Sequence, residues 1–232
     1  FKLKKYHETT SDFFDWNNCH QFLKHHEIYS HLISDSLRKG ILPKINNFLI
    51  RVPKGNGQVR DLTLCPFEIE LMTSIAIPFI INENIKKKNK FRVNSNVFSF
   101  GFQQQPSYHS DLVLPWIEEY TRYKDALRYC SALHEQYPFT FSDDIKNYYP
   151  SISNVKLTKI IDDYKFDSRA KDILNQFINS SNYIDIENMQ AVEFNGLSQG
   201  PLITHILAST LLIDIDIAFT REFTRSEAIL VR

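Results

Sequence analysis

The stretch of sequence that decides the fold is FSDDIKNYYPSI, residues Phe141–Ile152. Aromatic and polar side chains alternate from Tyr137 to Asp144, which is the pattern of a β-strand with one face in a core. The alternation places Asp144 on the polar face at the end of the predicted strand. A carboxylate held there suits a Mg²⁺ site, because Mg²⁺ prefers hard oxygen ligands. A solvated acidic pair at a strand end is the alternative interpretation.

A second informative stretch is NGLSQGP, residues 195–201. Gly196 and Gly200 permit backbone conformations in which another group approaches the chain closely. Gln199 can both donate and accept hydrogen bonds. The proline that closes the stretch fits the first turn of a helix, and the mostly apolar residues 202–219 predict that this helix is buried. Asp214 and Asp216 interrupt the apolar run, and we expect them to mark the solvent-facing end of the helix.

Two basic features could bind phosphate. In Phe48–Pro66, two short apolar strands flank a Lys-Gly-Asn-Gly-Gln turn, which predicts a hairpin bracketed by Lys54 and Arg60. Arginine can bind a phosphate through two parallel hydrogen bonds, whereas lysine acts as a point charge. The second feature is a basic run, for which a solvated loop is the alternative interpretation; it includes Lys86, Lys87 and Lys88.

In chain order, these stretches resemble the fingers hairpin, motif A and motif B of prokaryotic reverse transcriptases. DIKNYYPSI, residues 144–152, matches motif A nearly residue for residue, and NGLSQGP is similar to motif B with serine in place of the family's usual proline. The resemblance implies an α+β right-hand polymerase with an antiparallel palm sheet and packed helices, and without a thumb in this chain. The implied divisions are an N-terminal helical extension (1–40), fingers (41–135) and palm (136–232), ending before an expected Tyr-x-Asp-Asp motif.

The resemblance also implies a role for each candidate residue. DNA would be synthesised from dNTPs by two-metal phosphoryl transfer, with two Mg²⁺ ions or with Mn²⁺ as an alternative. Asp144 would be the catalytic metal ligand, joined by the main-chain carbonyl of Ile145. The nucleotide-binding residues would be Lys54 and Arg60 on the triphosphate, Tyr149 as a steric block to a ribose 2′-OH, and Gln199 on the sugar. The residues implied to contact nucleic acid are Gly196, Gly200, Lys86, Lys87 and Lys88.

The implied partners are a dNTP, an RNA template and its DNA product or a non-coding RNA, with no membrane; a homo-oligomer is left open. The Pro-Ser-Ile after the aromatic pair resembles retron, group II intron and antiphage-defence enzymes, and we favour the defence branch, including protein-primed or template-independent synthesis. A retron or group II intron enzyme is one alternative, and a catalytically inactive nucleic-acid-binding scaffold is another. An RNA-dependent RNA polymerase is disfavoured by Tyr149 and by the GLSQGP turn.

Composition sets broad limits. The 232 residues suit one large domain or two subdomains, and 27 basic residues balance 27 acidic residues. Three cysteines without Cys-x-x-Cys spacing, and no signal-peptide pattern, favour a reducing cytoplasm. The histidines near Cys19 lack convincing metal-ligand spacing. The predicted elements are helices before Gly40, strands in 41–66, helices in 67–135 with a break at Pro78, a strand in 136–152, helices in 154–180, a hairpin in 183–194, a helix in 201–224 and a strand from Ser226.

Overall fold

The protein has a mixed α+β fold. A computed structural model describes residues 24–43, 47–53, 57, 59–91, 93, 97–98, 116–180, 182–193, 195–224 and 226–231. Its elements in chain order are α1 (His26–Lys39), β1 (Asn47–Pro53), β2 (Val59–Leu64), α2 (Phe67–Ser74), α3 (Ile77–Lys90), β3 (Val97–Phe98), α4 (Trp116–Ala132), α5 (Tyr148–Ser151), α6 (Asn154–Asp163), α7 (Ser168–Ile178), β4 (Asn182–Asp185), β5 (Gln190–Glu193), α8 (Leu202–Glu222) and β6 (Leu230–Val231).

The described residues fall into two compact units, each built from separate parts of the chain. The first unit is drawn from residues 81–146 and 209–231, and the second from residues 24–80 and 147–208. The second unit contains a four-stranded sheet in the order β2-β1-β4-β5. Both predicted hairpins are confirmed, because β1 pairs antiparallel with β2 and β4 pairs antiparallel with β5. The two hairpins are joined by parallel pairing of β1 with β4, so the sheet is mixed rather than purely antiparallel.

The core of the second unit is aliphatic. Ile33 of α1, Met72 of α2 and Ile173 of α7 form a buried cluster. A cavity of about 510 Å³ opens beside this cluster, and none of the predicted site residues lines it. The other large side chains that are fully buried in this unit are Ile80, Leu157, Ile161, Leu174, Ile178, Leu197, Ile203, Ile206 and Leu207. Burial of each such side chain contributes roughly 1.5–3 kcal/mol, so this core fixes the loops that emerge from it.

The predicted break at Pro78 is confirmed. Helix α2 ends at Ser74 and α3 begins at Ile77, which places Pro78 in the first turn of the second helix. A proline is tolerated there because the N–H groups of the first turn have no partner within the helix. The chain therefore continues as two helices instead of one.

The predicted helix after NGLSQGP is confirmed as α8, which is largely buried. By length and composition alone, α8 is apolar enough to cross a membrane, but 61% of its most apolar window is buried within the protein. The core helix of a soluble protein passes the same test. We expected Asp216 to mark a solvent-facing end of this helix, and that expectation is wrong: Asp216 is fully buried and forms an ion pair of 3.2 Å with Lys88.

The strand predicted from the Tyr137–Asp144 alternation is also wrong. Residues 137–145 have no regular secondary structure, and Phe139 and Phe141 are 92% and 89% exposed. An alternating pattern forms a strand only where a partner strand takes up its backbone hydrogen bonds and a core covers its apolar face. Among the described residues, no strand pairs with this segment. The strand predicted from Ser226 is present as the two-residue β6, paired parallel with β3.

Candidate functional site

The NGLSQGP loop lies against the chain at Tyr149 and Pro150. Gly196 has φ of 85°, and a Cβ atom there would overlap the Pro150 carbonyl and lie 2.7 Å from the Tyr149 carbonyl oxygen. The Leu197 N–H donates a 3.0 Å hydrogen bond to that same Tyr149 oxygen. Only glycine combines this backbone angle with so close an approach. The loop is therefore joined to helix α5 through its first glycine.

The other end of the loop lies against strand β2. Gly200 has φ of 144°, and a Cβ atom there would overlap the Thr63 carbonyl oxygen. The Thr63 N–H donates a 2.7 Å hydrogen bond to the main-chain oxygen of Gln199, and Leu62 forms a parallel β-bridge with Gln199. The loop thus connects the β1–β2 hairpin to the aromatic pair Tyr148 and Tyr149.

Two buried polar contacts hold the loop, and sequence reasoning missed both. Ser198, 2% exposed, shares a hydrogen bond with the phenol of Tyr183, which is 3% exposed in β4. Glu70 of α2 is buried, and its Oε1 accepts a 3.2 Å hydrogen bond from the Leu202 N–H. A carboxylate at this position satisfies a free N–H of the first turn of α8 and interacts favourably with the helix dipole. No local pattern could have paired Glu70 with Leu202, because 132 positions separate them.

Tyr149 occupies the centre of the arrangement. Its ring is half-buried and packs edge-on against Tyr148, with 5.7 Å between the ring centroids. Burial raises the pKa of the Tyr149 phenol, and the positive charge of Arg60 opposes that shift. The Tyr149 hydroxyl lies 3.5 Å from Nδ1 of His205 on α8. The Tyr148 hydroxyl instead donates a 2.7 Å hydrogen bond to the Ala208 carbonyl, so the neighbouring rings have different anchors.

Arg60 is one of the two basic residues predicted to bind the triphosphate, and it is the one that the structure describes. It lies on β2 with an exposed side chain, two residues before Leu62 and on the same face of the strand. Among the described residues, no carboxylate lies within ion-pair distance of its guanidinium, so its donors are available to an anion. Lys54, the other predicted member of the grip, lies outside the described residues.

The predicted metal ligands lie in the first unit. Asp143, Asp144 and Ile145 are all exposed, and Asp143 Oδ1 accepts a 2.9 Å hydrogen bond from the Asp144 N–H. The Asp144 carboxylate makes no contact with another described side chain, so its hard oxygen atoms can coordinate Mg²⁺. Within the described ranges, no three His, Cys, Asp or Glu side chains are grouped to hold a metal ion. The donor chemistry therefore fits Mg²⁺, with one or two carboxylates from this chain.

The three lysines predicted to contact nucleic acid all have carboxylate partners. Lys86 lies 2.5 Å from Glu83, Lys87 lies 2.6 Å from Asp214, and Lys88 pairs with buried Asp216. Lys86 keeps 69% of its side chain exposed, whereas Lys88 keeps 14%. A phosphate backbone would meet Lys86 most readily, because exposed ion pairs exchange their partners at little cost.

No protein-family model matches this chain, and no curated protein matches it either. Three segments that are distant in sequence, namely β2, α5 and the 195–201 loop, meet in one compact unit. These segments carry Arg60, Tyr149 and Gln199, which supply a guanidinium, a phenol and an amide, and groups of these types can bind a phosphorylated sugar.

Proposed function

We propose that this chain is the fingers and palm portion of a prokaryotic-type reverse transcriptase, an RNA-directed DNA polymerase that adds deoxynucleotides by two-metal phosphoryl transfer. The observation that carries the proposal is that the NGLSQGP loop, which carries Gln199, makes backbone hydrogen bonds both to β2, which carries Arg60, and to α5, which carries Tyr149. The motif order in the sequence and the contacts of the loop with β2 and α5 both support a nucleotide site.

Each residue has a physical task in this proposal. The Arg60 guanidinium binds the triphosphate of the incoming nucleotide through charge-assisted hydrogen bonds. The Tyr149 ring excludes nucleotides with a 2′-hydroxyl, because the ring and the hydroxyl would compete for one volume. Gln199 supplies a side-chain amide beside the sugar. The backbone hydrogen bond from Thr63 to Gln199 holds Gln199 at a fixed distance from β2. Fixed donors of this kind lower the barrier because they need not reorganise during the reaction.

The carboxylate of Asp144 and the main-chain carbonyl of Ile145 would hold the metal. Two Mg²⁺ ions, when bound, would activate the attacking hydroxyl and neutralise charge on the triphosphate. The exposed position of Asp144 leaves its oxygen atoms open to solvent and to a ligand. The remaining partners in the proposal are an RNA template with its DNA product or a non-coding RNA, in the cytoplasm, and the biological role is antiphage defence.

A second candidate function is that of a catalytically inactive scaffold that binds nucleic acid. The observation that favours it is the state of the motif A segment: residues 137–145 form no strand, and no third carboxylate joins Asp143 and Asp144 among the described residues. A polymerase holds its metals on a stiff support, since catalysis depends on a preorganised geometry. The two candidates differ in whether Asp144 matters for DNA synthesis.

The test is incorporation of labelled dNTPs by the full-length protein that contains this chain, with primed RNA, with primed DNA and with no template, in Mg²⁺ and in Mn²⁺. Asp144→Asn should abolish incorporation, whereas the matched variant Asp143→Asn should retain it. Both variants should melt like the wild type, because both carboxylates are exposed. Equal loss in Asp143→Asn would show that the motif A register is shifted by one residue. A wild-type protein that binds RNA yet incorporates nothing under any condition would establish the scaffold.

A further inference from the structure

His205 is a half-buried titratable group for which the proposed reaction has no use. It lies in the first turns of α8, four residues after Pro201, and its ring is half-buried. Burial lowers the pKa of its imidazole, so the ring is neutral near pH 7. A neutral imidazole that carries its proton on Nε2 presents Nδ1 as a hydrogen-bond acceptor. The group that faces Nδ1 is the hydroxyl of Tyr149, 3.5 Å away.

We propose that His205 positions the Tyr149 ring and thereby sets how strongly the site discriminates between deoxyribose and ribose. This inference rests on the proposed function. Steric exclusion of a 2′-hydroxyl works only while the ring stays in the volume that the hydroxyl would enter. A ring anchored at both ends excludes better than a ring that can swing about its Cα–Cβ and Cβ–Cγ bonds.

The structure shows how the two ends of Tyr149 are held. At the backbone end, its carbonyl accepts the hydrogen bond from Leu197 N–H of the loop. Helix α5 supplies little rigidity of its own, because it is four residues long and follows Asn147, which has φ of 52°. At the far end, the hydroxyl faces His205. A separation of 3.5 Å is long for such a bond, and contacts of this kind commonly shorten when the ligand closes the site.

The charges around Tyr149 favour the same arrangement. Arg60 is the cation whose field reaches the phenol. Burial lowers the pKa of the His205 imidazole, so its ring is neutral and brings no second positive charge to the phenol. The phenol can then donate to Nδ1 of His205, and this bond orients its O–H. The segments that carry these three residues, β2, α5 and α8, all meet at the same loop.

The experiment compares His205→Leu, Tyr149→Phe and the double variant, with the ratio of kcat/KM for dNTP to kcat/KM for rNTP as the readout. Each single variant should lower this ratio by about three- to tenfold, the scale of one neutral hydrogen bond. The double variant should lower it no further, because both changes remove the same contact. His205→Gln keeps an acceptor and should retain more discrimination than His205→Leu. His134→Leu makes the same replacement at an exposed position and serves as the control, in which the ratio should not change.

A role in folding alone would lower the melting temperature of His205→Leu and leave the ratio unchanged, and that result would overturn the assignment. Losses that multiply in the double variant would overturn it as well. A ¹⁹F spectrum of 3-fluorotyrosine placed at residue 149 tests the contact without activity, and its resonance should shift in His205→Leu and not in His134→Leu. If the wild type incorporates neither dNTP nor rNTP, the proposed function is overturned. If the wild type prefers dNTP and the His205 variants prefer it equally, only this inference is overturned.

Discussion

Replacement of Gly196 by alanine tests whether the NGLSQGP loop is pressed against Tyr149 and Pro150. The added Cβ would lie 2.7 Å from the Pro150 carbonyl carbon and 2.7 Å from the Tyr149 carbonyl oxygen. Non-bonded carbon atoms attract each other at separations of about 3.5 Å and above, so contacts at these shorter distances are strongly repulsive. The atoms involved belong to the backbone, which cannot turn away as a flexible side chain can. The loop would have to move off α5, and the Leu197 hydrogen bond to Tyr149 would lengthen.

The chain offers a matched control in Gly57. Its φ of 77° is close to the 85° of Gly196, but a Cβ there would meet no described atom within 4 Å. Gly57→Ala therefore reports the cost of the left-handed conformation alone, about 1–2 kcal/mol. The reduced entropy of the unfolded chain offsets about 0.4–1 kcal/mol of that cost in both variants. Gly57→Ala should lower the free energy of unfolding by about 1 kcal/mol.

Gly196→Ala carries the same conformational cost and the overlap in addition. Forcing an extra carbon into a closely packed site costs about 1–3 kcal/mol, so the total should be about 2–4 kcal/mol. Urea denaturation followed by circular dichroism measures both variants, and their difference isolates the contact with α5. The slope of each transition should match the wild type, because the same surface is exposed on unfolding. Equal unfolding free energies for the two variants would refute the close approach of the loop to Tyr149.

The other predictions concern the nucleotide. In steady-state kinetics, Arg60→Ala should lower kcat/KM for dNTP by the equivalent of one charged hydrogen bond, about 1.5–3 kcal/mol. An unchanged kcat/KM would show that Arg60 is an ordinary exposed residue that does not bind the nucleotide. Tyr149→Val should raise the kcat/KM for rNTP relative to dNTP by about tenfold or more, the scale on which pocket shape discriminates. Tyr148→Phe, which loses the bond to Ala208, should cost about 1 kcal/mol of stability in a thermal melt and leave sugar choice as it was. Relaxed discrimination at Tyr148 instead would show that the motif A register is shifted.

The sequence predicted those parts of the fold that local chemistry decides. Both hairpins and the break at Pro78 follow from turn residues, from strand propensity and from the missing N–H of proline. The long helix after Pro201 follows from its apolar composition. In each case, the residues that produce the structure are neighbours in the chain, so their effect can be read without knowledge of distant partners.

The failed expectations depend on distant partners. The Tyr137–Asp144 alternation is compatible with a strand, but no described strand takes up its hydrogen bonds, and its phenylalanines remain exposed. Asp216 interrupts an apolar helix and was therefore expected at the surface, yet Lys88 of α3 neutralises it in the interior. A buried carboxylate without such a partner would be severely destabilising, which makes the lysine a condition for the helix to be buried on that side.

For the candidate site, the sequence indicated which residues of the loop matter, and the structure adds the contacts that hold the loop in place. Gly196, Gly200 and Gln199 were singled out for conformational freedom and hydrogen bonding, and the close approaches occur at both glycines. Glu70 and Tyr183, which anchor the loop from outside, carried no signal in the sequence. Their contacts with Leu202 and Ser198 join residues from separate elements, and only the packing of α2 and β4 against the loop brings them together.

Ser198 stands where motif B of reverse transcriptases, which the loop resembles, usually has proline, and the contacts of Ser198 restrain the loop without that proline. A proline ring restricts one backbone angle through covalent geometry. Ser198 is instead 2% exposed, and its hydroxyl is bonded to Tyr183 in the sheet. Breaking that bond would leave a buried polar group unsatisfied, at a cost of about 1–3 kcal/mol, so the loop is restrained by tertiary contact. The restraint therefore exists only when β4 is in place, which makes the geometry of the proposed nucleotide site depend on the folding of the whole sheet.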